Sequence, residues 1–305
     1  MRANELSPRV LGWLQFVLGR DARIGAVRPL DWATSSTLYE VDANLSGQEM
    51  RLVLRLYTKT EWLADEPDVP EHEAANLQRL RGSGLPVPEL LAVDMDGSQC
   101  GVPALLMTRL LGKVNLTPVD FDAWLRQLAA FLPRLHAVSP AGHRWRHLPY
   151  NNLSTLEPPV WTRRPELWAE AIRIGRGPRP AFEPRFIHRD FHPVNLLFAG
   201  ETLSGVVDWP NACVGPAGVD VAHCRLNLAT MFGQAATDRF LELCRESMGA
   251  YWTYNPFWDL MSILDIGPGG MEVYSAWPAF GLVGLTPALL VERNDAYLES
   301  VLARF

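Results

Sequence analysis

Lysine is nearly missing from this chain: of 28 lysine and arginine residues, only Lys59 and Lys113 are lysine. Chemistry that needs a lysine must therefore use one of those two positions or pass to arginine. Cysteine is scarce as well, with four in 305 residues (Cys100, Cys213, Cys224 and Cys244). That excludes a disulfide scaffold and makes a reduced, intracellular setting the expectation. Cys213 and Cys224 have no base pattern beside them and read as packing residues. Long apolar runs are absent, since the best candidate, Phe280 to Val291, spans twelve residues and contains Pro287, whereas a membrane span needs about 20. Positive charge is short too. A net charge of −6 excludes binding to nucleic acid through a basic surface, which requires clustered cations. The amino terminus carries Arg2, Arg9 and an apolar stretch from Val10 to Leu18, but Glu5 sits among the basic residues and no small-residue cleavage site follows. Val10, Trp13, Leu14, Val17 and Leu18 mark one face of an amphipathic helix, not a leader, and a cytoplasmic location is expected.

What is present is a core. Hydrophobic residues make up 48% of the chain, enough to exclude disorder, and the length suits one large domain or two moderate ones. Ser36 to Asp42 alternates as a strand, Gly47 turns the chain back, and Met50 to Tyr57 alternates again. Leu52, Leu54 and Leu56 then share one face, with Val53, Arg55 and Tyr57 on the other. Pro67 and Pro70 mark a loop before a helix over 71–81, which Gly82 and Gly84 end. Leu90 to Asp94 reads as extended and Val102 to Arg109 as a buried strand. The apolar period from Asp120 to Val138 predicts a long helix with a kink at Pro133. Short strands follow between Ala181 and Asp208, and the rest is mostly helical. Strands early and helices late indicate an α+β chain in two lobes, 1–108 and 109–305, with a hinge near 107–112.

The densest chemistry lies in Phe186-Ile187-His188-Arg189-Asp190-Phe191-His192-Pro193-Val194-Asn195-Leu196-Leu197, where a polar cluster sits between apolar segments. Val206-Val207-Asp208-Trp209 repeats the pattern by placing a carboxylate at the end of a β-branched run. Polar groups on loops between buried strands are held rigidly and still meet solvent. Three readings compete. His188, Asp190 and His192 could bind zinc. Asp190 and Asp208 could form a glycosidase pair, which leaves Asn195 without a role. Alternatively, two carboxylates and an amide oxygen suit phosphoryl transfer, where one carboxylate orients the hydroxyl and hard oxygens hold Mg²⁺.

His188-x-Asp190-x-x-x-x-Asn195 followed by Val207-Asp208-Trp209 resembles the catalytic and metal loops of the aminoglycoside phosphotransferase and choline kinase family, a small-molecule branch of the protein-kinase fold. The resemblance implies a small N-terminal lobe with an antiparallel sheet, a larger and mainly helical C-terminal lobe, and ATP with Mg²⁺ as cofactors, GTP being the alternative nucleotide. It gives Asp190 the catalytic role, Asn195 and Asp208 the metal, and His188 and Asp220 structural support of the loop. Arg55 stands where the family carries its phosphate-binding lysine, Lys59 is its rival, and Glu73 resembles the glutamate that pairs with that residue. Thr108 and Leu110 would meet the adenine edge. Ser35 would lie on the phosphate-covering loop, which contains no glycine between Leu30 and Thr37. Only eleven residues separate Asp208 from Asp220, which favours a small acceptor over a protein.

From Arg245 onward seven acidic residues face three arginines amid many aromatics, a composition suited to a cationic acceptor. Asp259 and Asp265 are the acceptor candidates. The expected activity is transfer of the γ-phosphate to a hydroxyl of a small molecule such as an aminoglycoside, amino alcohol or sugar. The alternative is a catalytically silent nucleotide-binding or scaffold protein, favoured by Arg55 and the glycine-free loop.

Overall fold

Helix α1 (Pro8–Leu18) starts where Ser7 accepts a hydrogen bond from the Val10 amide and Pro8 supplies a preset φ. Its buried face is Val10, Trp13 and Leu14, the i, i+3, i+4 positions read from the sequence. The computed structural model describes residues 6–31, 36–266 and 269–305. Two compact units divide the chain. The first runs to Leu111 and regains Gly205–Asn211; the second comprises Gly112–Ser204 and Ala212–Phe305.

In the first unit α1 is followed by β1 (Arg23–Leu30), β2 (Thr37–Leu45), β3 (Gln48–Leu56), the short α2 (Thr60–Asp65), α3 (Val69–Leu80), β4 (Leu90–Asp94) and β5 (Ala104–Thr108). The strands form one antiparallel sheet in the order β1-β2-β3-β5-β4. Ser46 and Gly47, both at positive φ, make the β2–β3 turn. Leu52, Leu54 and Leu56 point into a core with Trp13, Leu14, Val27, Val41 and Leu106. Each such leucine, fully buried, contributes about 1.5–3 kcal/mol relative to exposure. Arg55, on the opposite face of β3, and Tyr57, just past its end, both bond Glu73 of α3. β1 carries weak sequence signals because a register shift between Ile24 and Val27 breaks its alternation.

The second unit holds β6 (Lys113–Val114), α4 (Phe121–His136), α5 (Pro165–Gly175), β7 (Pro184–Ile187), β8 (Leu196–Ala199), most of β9 (Thr202–Val206), β10 (Cys213–Pro216), α6 (Gly218–Phe232), α7 (Gln234–Met248), α8 (Pro256–Ile266) and α9 (Pro287–Leu302). Helix α4 begins at its Asp120 cap and runs through Pro133 to His136. Helix α6 packs on α7, α8 and α9, around a core that includes Trp168, Leu226, Leu260, Leu264 and Leu298. β7 and β10 pair antiparallel with Ile187 opposite Cys213, which sets the loop after Ile187 beside the start of α6. All four cysteines are free and buried, and burial pushes the Cys213 thiol up to about 12. No described helix is long and apolar enough to cross a membrane.

One buried base makes the second unit acid-sensitive. His147 is 7% exposed, and its Nδ1 accepts from Arg179 at 3.0 Å. Burial, aided by Arg189 and Arg179, lowers its pKa to about 3. An unfolded histidine takes its proton near pH 6.5, so the stability His147 contributes is full above that pH and drains away as pH falls toward 3. Between pH 7 and pH 5 this group alone costs about 2 kcal/mol. Urea denaturation at the two pH values should show a larger loss for the wild type than for His147→Gln by about that amount.

Candidate active site

The first unit brings four side chains together behind β3. Arg55, 4% exposed, donates from Nη1 to Glu73 Oε2 at 2.9 Å and from Nη2 to Asp208 Oδ1 at 2.8 Å. The Tyr57 hydroxyl donates to the same Glu73 oxygen. Burial opposes the guanidinium charge, but the two carboxylates outweigh it and Arg55 is held firmly cationic. A guanidinium can bridge two carboxylates with separate nitrogens, whereas an ammonium presents one point charge. Lys59 is exposed at the start of α2, so Arg55 is the cation paired with Glu73. Asp208 has φ 68, in the left-handed region that aspartate enters more readily than most non-glycine residues. The neighbouring Trp209 carbonyl accepts from Asn76 of α3 at 2.7 Å. Thr108 ends β5, tied to Glu89 by its amide and its hydroxyl, and Leu110 follows two residues on. Ser35 lies outside the described residues.

The second unit builds the loop between β7 and β8 from three directions. Asp220, fully buried in the first turn of α6, accepts from the amides of His188 at 3.1 Å and Arg189 at 2.7 Å. Its Oδ2 also meets His136 Nε2 at 2.9 Å. Two backbone amides and an imidazole thus converge on one carboxylate, which lets Arg189 hold φ 69 immediately before Asp190. His188 is wholly buried, with its ring edge-on to Phe191. Arg189 reaches out to the Leu148 carbonyl and covers the Tyr150 ring at 3.8 Å.

Asp190 itself is clamped at both oxygens. Asn195 Nδ2 donates to the Asp190 carbonyl at 2.9 Å and to its Oδ2 at 3.1 Å. His223 Nε2 lies 3.0 Å from Oδ1, and His192 Nε2 is 3.7 Å from the same atom. Burial pushes this carboxyl up, yet His192, His223 and His188 outweigh it and keep the group well below the ordinary carboxylate range. Asp190 is therefore an anion poised to accept, not to donate.

Two sequence expectations change here. The zinc alternative paired His188 with His192, but His188 packs inside while the second imidazole comes from His223 on α6. Asp259, named as an acceptor contact, is 1% exposed. Its oxygens are taken by Arg225, by the Tyr254 hydroxyl at 2.6 Å and by the Tyr297 hydroxyl at 3.0 Å. An acid within a helical bundle pairs with the buried arginine it neutralises, and Asp259 is removed from the candidate site. Asp265 is half-buried and accepts from the Tyr150 amide at 2.9 Å and the Asn151 amide at 3.3 Å; burial raises its pKa. His136 and His223 were not singled out from the sequence. His223 had a readable signal, since Asp220 and His223 are i, i+3 on one helix face.

An antiparallel sheet unit with a buried Arg–Glu pair, followed by a helical unit carrying an anchored Asp190–Asn195 loop, defines an α+β fold of the protein-kinase-like class. Solved structures agree. An aminoglycoside phosphotransferase, crystallised as a thermostable mutant with ADP and hygromycin B, matches with TM-score 0.62 at 15% identity over 95% of this chain and 97% of the other. A macrolide 2'-phosphotransferase from Brachybacterium faecium matches with TM-score 0.54 at 18% identity over 97% of each. At these identities the likeness concerns the fold. The model of the phosphotransferase enzyme family matches residues 26–252, and the chain belongs to that family. Among curated relatives, a homoserine kinase of Methylocella silvestris is 31% identical over 193 residues, 59% of this chain and 58% of the relative. One from Beijerinckia indica is 53% identical over 192 residues, 56% of each. The chain spans less than six-tenths of the length of these two relatives.

Proposed function

We propose that this chain transfers the γ-phosphate of ATP to a hydroxyl group of a small amino alcohol, with homoserine the first acceptor to try. The observation that carries the reading is the Asn195–Asp190 clamp. Asn195 spends its amide hydrogens on Asp190, which fixes the carboxylate and leaves the amide oxygen for a hard cation. Asp208 gives one oxygen to Arg55 and has a second to offer. Oxygen donors of this kind fit Mg²⁺, and we assign it to Asn195 and to Asp208. When bound with ATP, the ion supplies neutralisation of triphosphate charge.

The remaining roles belong to the chain. Asp190 orients the acceptor hydroxyl and takes its proton late, because the transition state is loose and positioning does most of the work. Arg55, fixed by Glu73, meets the α- and β-phosphates, and the Thr108 carbonyl and Leu110 amide read the adenine edge. Asp265, held by the Tyr150 and Asn151 amides, is the carboxylate we assign to the acceptor's ammonium. The relatives named homoserine kinase support an amino-alcohol acceptor.

A coupled assay for ADP release against a library of hydroxyl compounds tests this reading. Turnover above the ATP-only rate with at least one amino alcohol is expected, and none across the library would contradict it. Binding has its own check. ATP should raise the melting temperature in a Mg²⁺-dependent way, and Asp208→Ala should abolish that dependence; its persistence would count against the metal assignment.

A further inference from the structure

The cluster around Asp190 holds more than orientation of a hydroxyl requires. We infer that Asp190, His192 and His223 form a binding site for a borderline transition-metal cation such as Zn²⁺ or Co²⁺, distinct in donor chemistry from the all-oxygen Mg²⁺ set. The three candidate donor atoms lie within 4.8 Å of one another. His223 Nε2 is 3.0 Å and His192 Nε2 3.7 Å from the same oxygen, Asp190 Oδ1. A hydrogen bond accounts for the first imidazole. The second is too far for one, yet it approaches the same atom. Ligands of a tetrahedral ion with bonds of about 2.0–2.1 Å sit about 3.3 Å apart, so 3.0 and 3.7 Å bracket the edge of one coordination sphere.

The donor set, two imidazoles and one carboxylate, suits zinc or cobalt and disfavours magnesium. The rest of the molecule offers little competition. The other five histidines (His72, His136, His143, His147 and His188) are buried, while His192 and His223 keep a minor part of their surface exposed. All four cysteines are buried. The backbone supports the arrangement, because His223 is one helical turn beyond Asp220, whose carboxylate holds the amides of His188 and Arg189. The consequence for turnover rests on the phosphotransfer reading: an ion on Oδ1 occupies the oxygen that Asn195 leaves open, so Zn²⁺ would compete with the acceptor. Metal binding itself does not depend on that reading.

The test is a titration of the untagged full chain with Co²⁺, followed by visible absorption of the coordinated ion. One saturable equivalent is expected, displaced by Zn²⁺ and retained in large excess of Mg²⁺. His223→Gln and His192→Gln should each weaken Co²⁺ binding by about tenfold or more, with far-ultraviolet circular dichroism unchanged. No saturable binding, displacement by Mg²⁺, or unaltered affinity in both variants would overturn the proposal. Should a variant fail to fold, X-ray absorption of the Co²⁺-loaded wild type decides. A shell with two imidazoles supports the site, and an all-oxygen shell contradicts it. These readouts need no kinase activity, so failure here and failure of the phosphotransfer reading are separable.

Discussion

Asp190→Asn is expected to lower kcat by about 10²–10⁴-fold, the range carried by one positioned proton acceptor, while the ATP thermal shift and the melting temperature change little. The substitution keeps the side chain's shape and its bond from Asn195 but removes the charge and the ability to take a proton. The loop itself should survive, because its amides are held by Asp220, not by Asp190. Phosphotransfer within a few-fold of wild type would contradict the assignment. A collapse of stability would show instead that Asp190 is chiefly an anchor for His192 and His223.

The second large effect is structural. Arg225 and Asp259 are 0% and 1% exposed and face each other between α6 and α8. Removing one partner strands the other charge in the interior, a cost of about 3–5 kcal/mol. Asp259→Ala should therefore lower the unfolding free energy by that amount, measured by urea denaturation. The pair Arg225→Met with Asp259→Leu should recover much of it, because replacing both ions by apolar groups removes the desolvation cost. A contact to an acceptor would behave otherwise, raising KM with stability intact, and that outcome would restore Asp259 to the site.

These two residues also mark what a sequence shows and what it hides. The connections that carry Asp190, Asn195 and Asp208 were legible because their apolar flanks are local, and the structure places them between β7 and β8 and between β9 and β10. Leu52, Leu54 and Leu56 were legible by period two, and α1 by its 3.6 period. The face opposite those leucines held Arg55, and the helix beyond held Glu73; the resemblance, not the alternation, joined them. Asp259 misled because an acid near aromatics has the same local signature whether it meets a ligand or a buried arginine 34 residues away. His136 and His223 escaped notice for a related reason. Each is one of several polar positions on its helix, and only tertiary pairing tells a core histidine from one that faces the Asp190 carboxylate. α5 left few marks, since Trp168, Ala171 and Ile172 are its few buried apolar positions, set among arginines and prolines.

The destination of the terminal phosphate of ATP separates transfer to an acceptor from hydrolysis. Phosphorus magnetic resonance of the chain with Mg²⁺, ATP and homoserine or a related amino alcohol follows that atom directly. A phosphomonoester signal growing in step with ADP, absent in Asp190→Asn, is the expected result. ADP accompanied only by inorganic phosphate, or ATP left intact with every acceptor, would contradict it.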